Sequence, residues 1–173
     1  MKLEDVKNDK EVNVLVDNTE RQLTELGYTE HGRRHIGIVS EIAGNILEEL
    51  GYSEREIELA RIAGYLHDIG NSINRMDHAH TGAILAYDIL KRLGMPLEDA
   101  AEIMMAIGNH DENSGTAVST VSAALILADK SDVHRSRVRN ENLSRFDIHD
   151  RVNYAVEEAL VETIGCSGMT HSA

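Results

Sequence analysis

The sequence predicts an all-α protein built as a single-domain helical bundle. Three observations carry that expectation: apolar residues recur at steps of three and four in successive segments, the 173 residues include one proline, and aromatic side chains are limited to five Tyr and one Phe. Sheet sandwiches draw on β-branched and aromatic residues, whereas Leu, Ile, Val and Ala at helical period make amphipathic helices. The length suits one substantial core and is short for two.

The first long helix is predicted over Glu11 to Leu26, where Val12, Leu15, Thr19, Leu23 and Leu26 share a face and Gly27 is the stop. A second carries His35, Val39, Ile42, Ile46 and Leu50 and ends at Gly51. Ser53 followed by Glu56 is a capping-box pattern, opening a helix expected to reach about Ile69 before the turn GNSIN. Asp77 is the expected N-cap of the next, whose face is Gly82, Leu85, Ile89 and Leu93 and whose stop is Gly94. Pro96 then starts a helix that buries Ile103 and Ile107. After the polar segment DENSGT comes the apolar helix VSTVSAALILADKSDV, and after the loop RNENLSRF comes a last helix capped by Asp147, with Val152, Ala155, Val156, Ala159 and Leu160 spaced for burial. The tail GCSGMTHSA loses the pattern.

Charge narrows the function classes. A formal net charge of −13 opposes wrapping a nucleic-acid polymer, because such binding neutralises phosphates with Lys and Arg. A small anionic ligand in a locally positive cleft remains open. Cys166 is alone, the N-terminal MKLEDVKNDKEVN has no apolar run of the signal-peptide kind, and no stretch approaches membrane-spanning length. A cytoplasmic protein with no membrane partner is expected, and homo-oligomerisation is compatible with the sequence.

The informative residues are the polar exceptions on the apolar faces. His35 lies on the line of Val39 and Ile42, His78 on that of Gly82, Leu85 and Ile89, and His110 one inward step beyond Ile103 and Ile107. Asp129 extends the line through Val121 or Ser122 and Leu125, with Asp132 a further step along. His67 and Asp68 stand together where an apolar helix ends, projecting about 100° apart. Imidazoles and carboxylates aimed at a shared interior are costly to bury unless paired or bound to a cation. Mixed N and O donors suit one or two divalent transition metals (Fe, Mn, Co, Ni or Zn), whereas Mg prefers oxygen and a lone Cys makes no thiolate cage. A buried His/Asp hydrogen-bond network without metal is the alternative.

The order His35, the doublet His67-Asp68, then Asp129, in the settings AGYLHDIGN and ILADKSD, resembles the HD superfamily of metal-dependent phosphohydrolases over roughly residues 30 to 139. The resemblance implies a bundle of the HD-domain type: an N-terminal helical segment (1–29), an HD core (30–139), and a C-terminal helix and tail (140–173) packing on it. It further implies that these four residues bind a first metal and that Asp68 bridges to a second. DHAHTGA resembles the H-x-x-x-G-A pattern of binuclear members, which selects His78 and not His80, and AIGNHDE resembles the helix end that supplies another ligand, here His110. Relatives with a His-His pair at that point leave Asp111 as a candidate replacement donor. Asn71 stands where cyclic-dinucleotide phosphodiesterases of the superfamily carry Lys, and the glutamate that follows HD in mononuclear deoxynucleotide phosphatases is missing.

The reaction implied is hydrolysis of a phosphate ester or anhydride of a small phosphorylated molecule, a nucleotide being the expected class, by a metal-bound hydroxide. Asp68 is the expected catalytic metal bridge, and Lys130 and Arg135, in an otherwise acidic chain, are expected to face the substrate. Arg137 and Arg139 read as decoration of a solvated helix end, while Arg33 and Arg34 could serve either way. His31, His134, His149 and His171 read as solvent-facing or locally bonded. A di-iron oxygenase on the same fold and a nucleotide sensor without turnover are the alternative functions.

Overall fold

Residues 1–111, 115–139 and 148–163 are described by the computed structural model, apart from the side chain of His149, and every regular element among them is helical. The chain opens with α1 (Leu3–Lys7) and α2 (Lys10–Glu25), continues through α3 (Arg33–Glu49), α4 (Glu54–Leu66), α5 (His78–Arg92), α6 (Leu97–Gly108) and α7 (Thr120–Ser131), and reaches α8 (Ile148–Ala155). Two 3-10 turns, η1 (Ile69–Ser72) and η2 (Arg135–Arg137), follow α4 and α7.

The stop and start signals act as their chemistry requires. Gly27, Gly51 and Gly94 take φ of 78°, 78° and 86° just past α2, α3 and α5, and the next amide in each case turns back onto a carbonyl of the last turn. Ser53 and Glu56 cap α4 reciprocally. Asp77 does sit at the N-cap of α5, but with φ 57° and no side-chain cap bond, so its role there is conformational. The α4 helix stops at Leu66, short of Ile69, because the chain tightens into η1 immediately after Asp68. Pro96 lies at the N-cap of α6, one place earlier than a first helical residue.

The last helix differs most from expectation. It ends at Ala155, before Val156, Ala159 and Leu160, and Val152 and Leu160 are 48% and 77% exposed. The buried positions of α8 are Asp150 and Asn153, because the helix packs against the short η2 turn and meets no broad apolar face. The Asp147 cap and all of the loop RNENLSRF except Arg139 lie outside the described residues. An unexpected α1 is seated by Val6, which is fully buried.

In the bundle, α3 packs on α4 and α7, α5 on α6, and α4 also meets α6 and α7. Val39, Ile62, Leu66, Leu90, Ile103, Ile107 and Leu125 form its dry centre, each contributing about 1.5–3 kcal/mol on burial. The site's position depends on how closely η1 approaches α5. A Cβ on Gly70 would collide with the His78 carbonyl oxygen and lie 2.6 Å from the Gly82 amide nitrogen, both of them backbone atoms with no rotamer to yield. Gly82, in turn, presents no side chain to the η1 turn, and this permits Asp68 and His78 to meet. We expect Gly70→Ala to destabilise the protein by about 2–3 kcal/mol, read as a shifted urea midpoint. Unchanged stability would mean that the α5–η1 contact is loose. Among the described residues no helix is long and apolar enough to cross a membrane.

Candidate metal centre

The polar exceptions read from five segments meet at one place. His35 comes from the first turn of α3, His67 and Asp68 from the end of α4, His78 from the start of α5, His110 from just past α6, and Asp129 from α7. His35 and His67 are fully buried, Asp68, His78 and His110 are each 3% exposed, and Asp129 is half-buried.

Each imidazole is oriented by what its Nδ1 touches. His67 donates from Nδ1 to the Gly64 carbonyl at 2.8 Å, His110 to Ile107 O at 2.7 Å, and His78 to Arg75 O at 3.1 Å. A carbonyl only accepts, so the proton on each ring belongs to Nδ1. His35 Nδ1 lies 2.7 Å from the Asp132 carboxylate, which serves the same purpose. The tautomer thus leaves Nε2 as the inward lone pair, the arrangement typical of metal-binding histidines.

The inward atoms are spaced like ligands. His35 Nε2 lies 3.3 Å from His67 Nε2, 3.3 Å from Asp129 Oδ1 and 3.7 Å from Asp68 Oδ2. His67 Nε2 lies 3.4 Å from Asp68 Oδ2 and 3.6 Å from Asp129 Oδ1. Four donors around one cation with bonds near 2.1 Å would stand about 3.4 Å apart if tetrahedral. Asp68 Oδ2 is moreover a buried oxygen with no hydrogen-bond donor. A carboxylate oxygen left in that state inside a protein needs a cation. The residues therefore fit a metal.

A second, adjoining set involves His67, Asp68 and His110, whose donor atoms lie within 4.8 Å of one another. His78 adds its Nε2, 3.6 Å from Asp68 Oδ1. Asn71, placed by η1, donates to that Oδ1 at 2.8 Å and so fixes the rotation of the carboxylate between the two sets. Asp111 Oδ2 lies 3.5 Å from His78 Nδ1, on the side of the ring away from the donor cluster.

The electrostatics answer to this crowding. Burial pushes the His67 imidazole down, but Asp68 and then Asp129 more than reverse it, and its pKa stands at about 9. Burial works the other way on Asp68 and Asp129, yet the surrounding imidazoles hold both carboxyls below the ordinary range. His110 is lowered by burial to about 4. In the metal-free chain His67 therefore carries a second proton, on Nε2, which a metal would have to displace before that lone pair is available.

A cleft of about 910 Å³ opens over these residues. Lys130 lines it, its Nζ 3.0 Å from Asp129 Oδ2. Arg135 does not face it: the guanidinium pairs with Glu157 at 2.8 Å and stacks over Tyr154. Arg137, read as surface decoration, lines the cleft instead and is buried, bonded to the carbonyls of Glu30 and Asp132. The reversal has a geometric cause, since η2 turns at three residues per turn and the α-helical stripe does not continue through it. Arg139 stays outside, near Glu20 and Thr24.

Asp132, expected one step beyond Asp129 on the inward line, and His31, expected to be solvent-facing or locally bonded, both stand beside His35. Asp132 accepts from Arg34 at 2.9 Å as well as from His35. His31 is bonded to the Thr29 carbonyl at 2.7 Å, as a locally bonded histidine would be, but it also lines the cleft and stacks edge-on against His35. Burial lowers it to about 3, so it is neutral. His80 is exposed at the cleft wall, and His134 is bonded to Ser136 and the Glu157 carbonyl. The His149 side chain and His171 lie outside the described residues. We expect Asp132→Ala to weaken metal retention by about 10–100-fold through loss of His35 orientation, measured by competition with a chromogenic chelator. Unaltered affinity would reduce Asp132 to a partner of Arg34.

Comparison with known proteins falls on the same segment. The HD domain family model matches residues 33–152. The uncharacterized protein MJ1020 of Methanocaldococcus jannaschii is 28% identical over 180 residues, covering 91% of this chain and 69% of that one. Ribonuclease Y of Oceanobacillus iheyensis is 31% identical over 119 residues, covering 69% of this chain, although the chain spans only 21% of that protein's length. A crystal structure of a predicted HD superfamily hydrolase from an uncultured Thermotogales bacterium superposes with a TM-score of 0.55 at 25% identity, covering 70% of this chain and 68% of that one. A family match over more than half the chain, enclosing His35, His67, Asp68, His78, His110 and Asp129, makes this protein a member of the HD domain family.

Proposed function

We propose that the protein hydrolyses a phosphate ester or anhydride of a small phosphorylated molecule, a nucleotide being the favoured class. The observation that carries this reading is the donor cluster, in which buried imidazole lone pairs and the undonated Asp68 Oδ2 face one another at the floor of an open cleft. Divalent metal held there supplies Lewis-acid polarisation of a phosphoryl oxygen and activation of water.

The chain's own residues do the rest. His35, His67, Asp68 and Asp129 form the first donor set and Asp68, His78 and His110 the second, so Asp68 serves both. Lys130 and Arg137 place positive charge along a cleft whose floor is otherwise anionic, where departing phosphate would meet it. Tyr28, Leu26 and Met76 bring apolar surface to the same cleft, as an organic moiety beside the phosphate requires. The test is metal analysis of protein purified without chelator, followed by phosphate release across mononucleotides, dinucleotides and non-nucleotide phosphate esters with the metal found. Absence of any product across that set, with metal bound, would leave the reading without support.

A second reading is cleavage of RNA phosphodiesters, favoured by the ribonuclease Y similarity. The net charge of −13 works against it, since an extended polyanion would be repelled beyond the cleft. Single-stranded RNA in the same screen separates the two.

A further inference from the structure

We infer that Arg75 is a tethered cation that competes with metal for the second donor set, making occupancy of that position the weaker of two steps. The inference rests on the two-set reading of the cluster given above. Arg75 lies in the turn between η1 and α5 and holds His78 from both sides. Its backbone carbonyl accepts from His78 Nδ1 at 3.1 Å, and its guanidinium NH1 sits 3.4 Å from His78 Nε2. The first contact fixes the tautomer that makes Nε2 a lone-pair donor. The second covers that lone pair with a hydrogen-bond donor.

An imidazole Nε2 has one in-plane lone pair, which serves a guanidinium or a metal but not both. The same NH1 lies 4.0 Å from Asp68 Oδ1 and 3.3 Å from Asn71 Oδ1, so the positive charge rests on the edge between Asp68 and His78 where the second set is completed. A divalent ion placed there would face a fixed positive charge at near-contact range, and the guanidinium must leave first. The side chain has somewhere to go. It is about one-third exposed, lines the cleft, and is stacked over the Tyr28 ring at 5.9 Å, a contact that rotation about its long stem can slide along. At the first donor set the contact differs: Lys130 meets Asp129 at its outward oxygen Oδ2, while Oδ1 faces His35 and His67.

The test uses Mn²⁺ alone. Equilibrium dialysis of the metal-stripped chain, with electron paramagnetic resonance to register spin-coupled pairs, is run on wild type, Arg75→Ala and Arg75→Met. Arg75→Met keeps an unbranched stem over Tyr28 without the charge, so a shift common to both variants reads charge removal and not misfolding. Expected is a tight first step that is the same in all three and a second step at least about tenfold tighter in both variants than in wild type. The coupled-pair signal then appears at lower Mn²⁺ in the variants. A second step unchanged or weakened in the variants overturns the inference, as does a single-site isotherm common to all three. The hydrolase reading fails separately: Mn²⁺ steps that shift as stated, with no phosphate released from any substrate, would sink that reading and leave the role of Arg75 intact.

Discussion

Asp68→Ala protein, purified without chelator, is expected to retain less than about a tenth of the wild-type metal and to turn over at least about a thousandfold more slowly. Asp68 turns one carboxylate oxygen toward each donor set. Its Oδ2 stands 3.7 Å from His35 Nε2 and 3.4 Å from His67 Nε2, while its Oδ1 stands 3.6 Å from His78 Nε2. Loss of Asp68 removes two oxygens, one beside each set, and takes away a full negative charge from a site that must hold divalent cations. The fold should survive. Asp68 is buried beside an imidazolium, and without it the charge on His67 loses its strongest partner and gives way to the neutral ring. Asp68→Asn is the sharper companion, since it preserves volume and the capacity to bond Asn71 while removing the charge. Metal content by elemental analysis and phosphate release are the two readouts. Full metal with no turnover would confine Asp68 to chemistry, and full turnover would dismiss the cluster as the reacting site.

The residues that the sequence made legible share one property, namely that they lie on or directly beside a helix whose period points them inward. His35 follows Val39 and Ile42 onto the buried face of α3, and His78 follows Ile89 in α5. Asp129 projects from α7 in the same way. His110 is the limiting case, lying two residues past α6 yet still carried inward by the direction of its last turn. What escaped lies where no period operates. Arg137 and His31 sit outside the α-helices, and although Asp132 continues the line of Asp129, its bond to Arg34 joins residues nearly a hundred positions apart, which spacing cannot encode. Arg135 was misplaced for the same reason, since the 3-10 geometry of η2 decides which of two neighbouring arginines turns inward. Arg75 was invisible because its importance comes from a carbonyl and a guanidinium acting together on one ring. The apolar spacing of the last helix misled because a periodic face is buried only if another element comes to cover it, and among the described residues α8 packs chiefly on the short η2.

The margin of thermal stability that metal confers is expected to widen as pH rises from about 6.5 to about 9, and to level off above. His67 sets the window. In the metal-free chain its pKa is raised from 6.5 to about 9, so folding strengthens proton binding there. By linkage, that contribution to metal-free stability is complete below about 6.5 and is lost progressively as pH climbs through about 9. Metal requires the neutral ring and must displace the proton, so below pH 9 its apparent affinity falls by about a decade, or about 1.4 kcal/mol, for each unit of pH. Both describe the same proton, so the difference between loaded and stripped protein widens by that one amount. His110 at about 4 and His31 at about 3 are neutral throughout this window, and the Asp68 and Asp129 carboxyls are ionised throughout. At metal about a thousandfold above Kd, binding adds about 4 kcal/mol, which for a chain of this size shifts Tm by about 8–16 °C. Paired melts with Mn²⁺ and with chelator at pH 6.5, 7.5 and 8.5, at fixed free metal, measure the margin directly. A margin that is flat or narrows with pH would show that His67 holds no displaceable proton, and with it that the inward cluster does not carry a cation of its own.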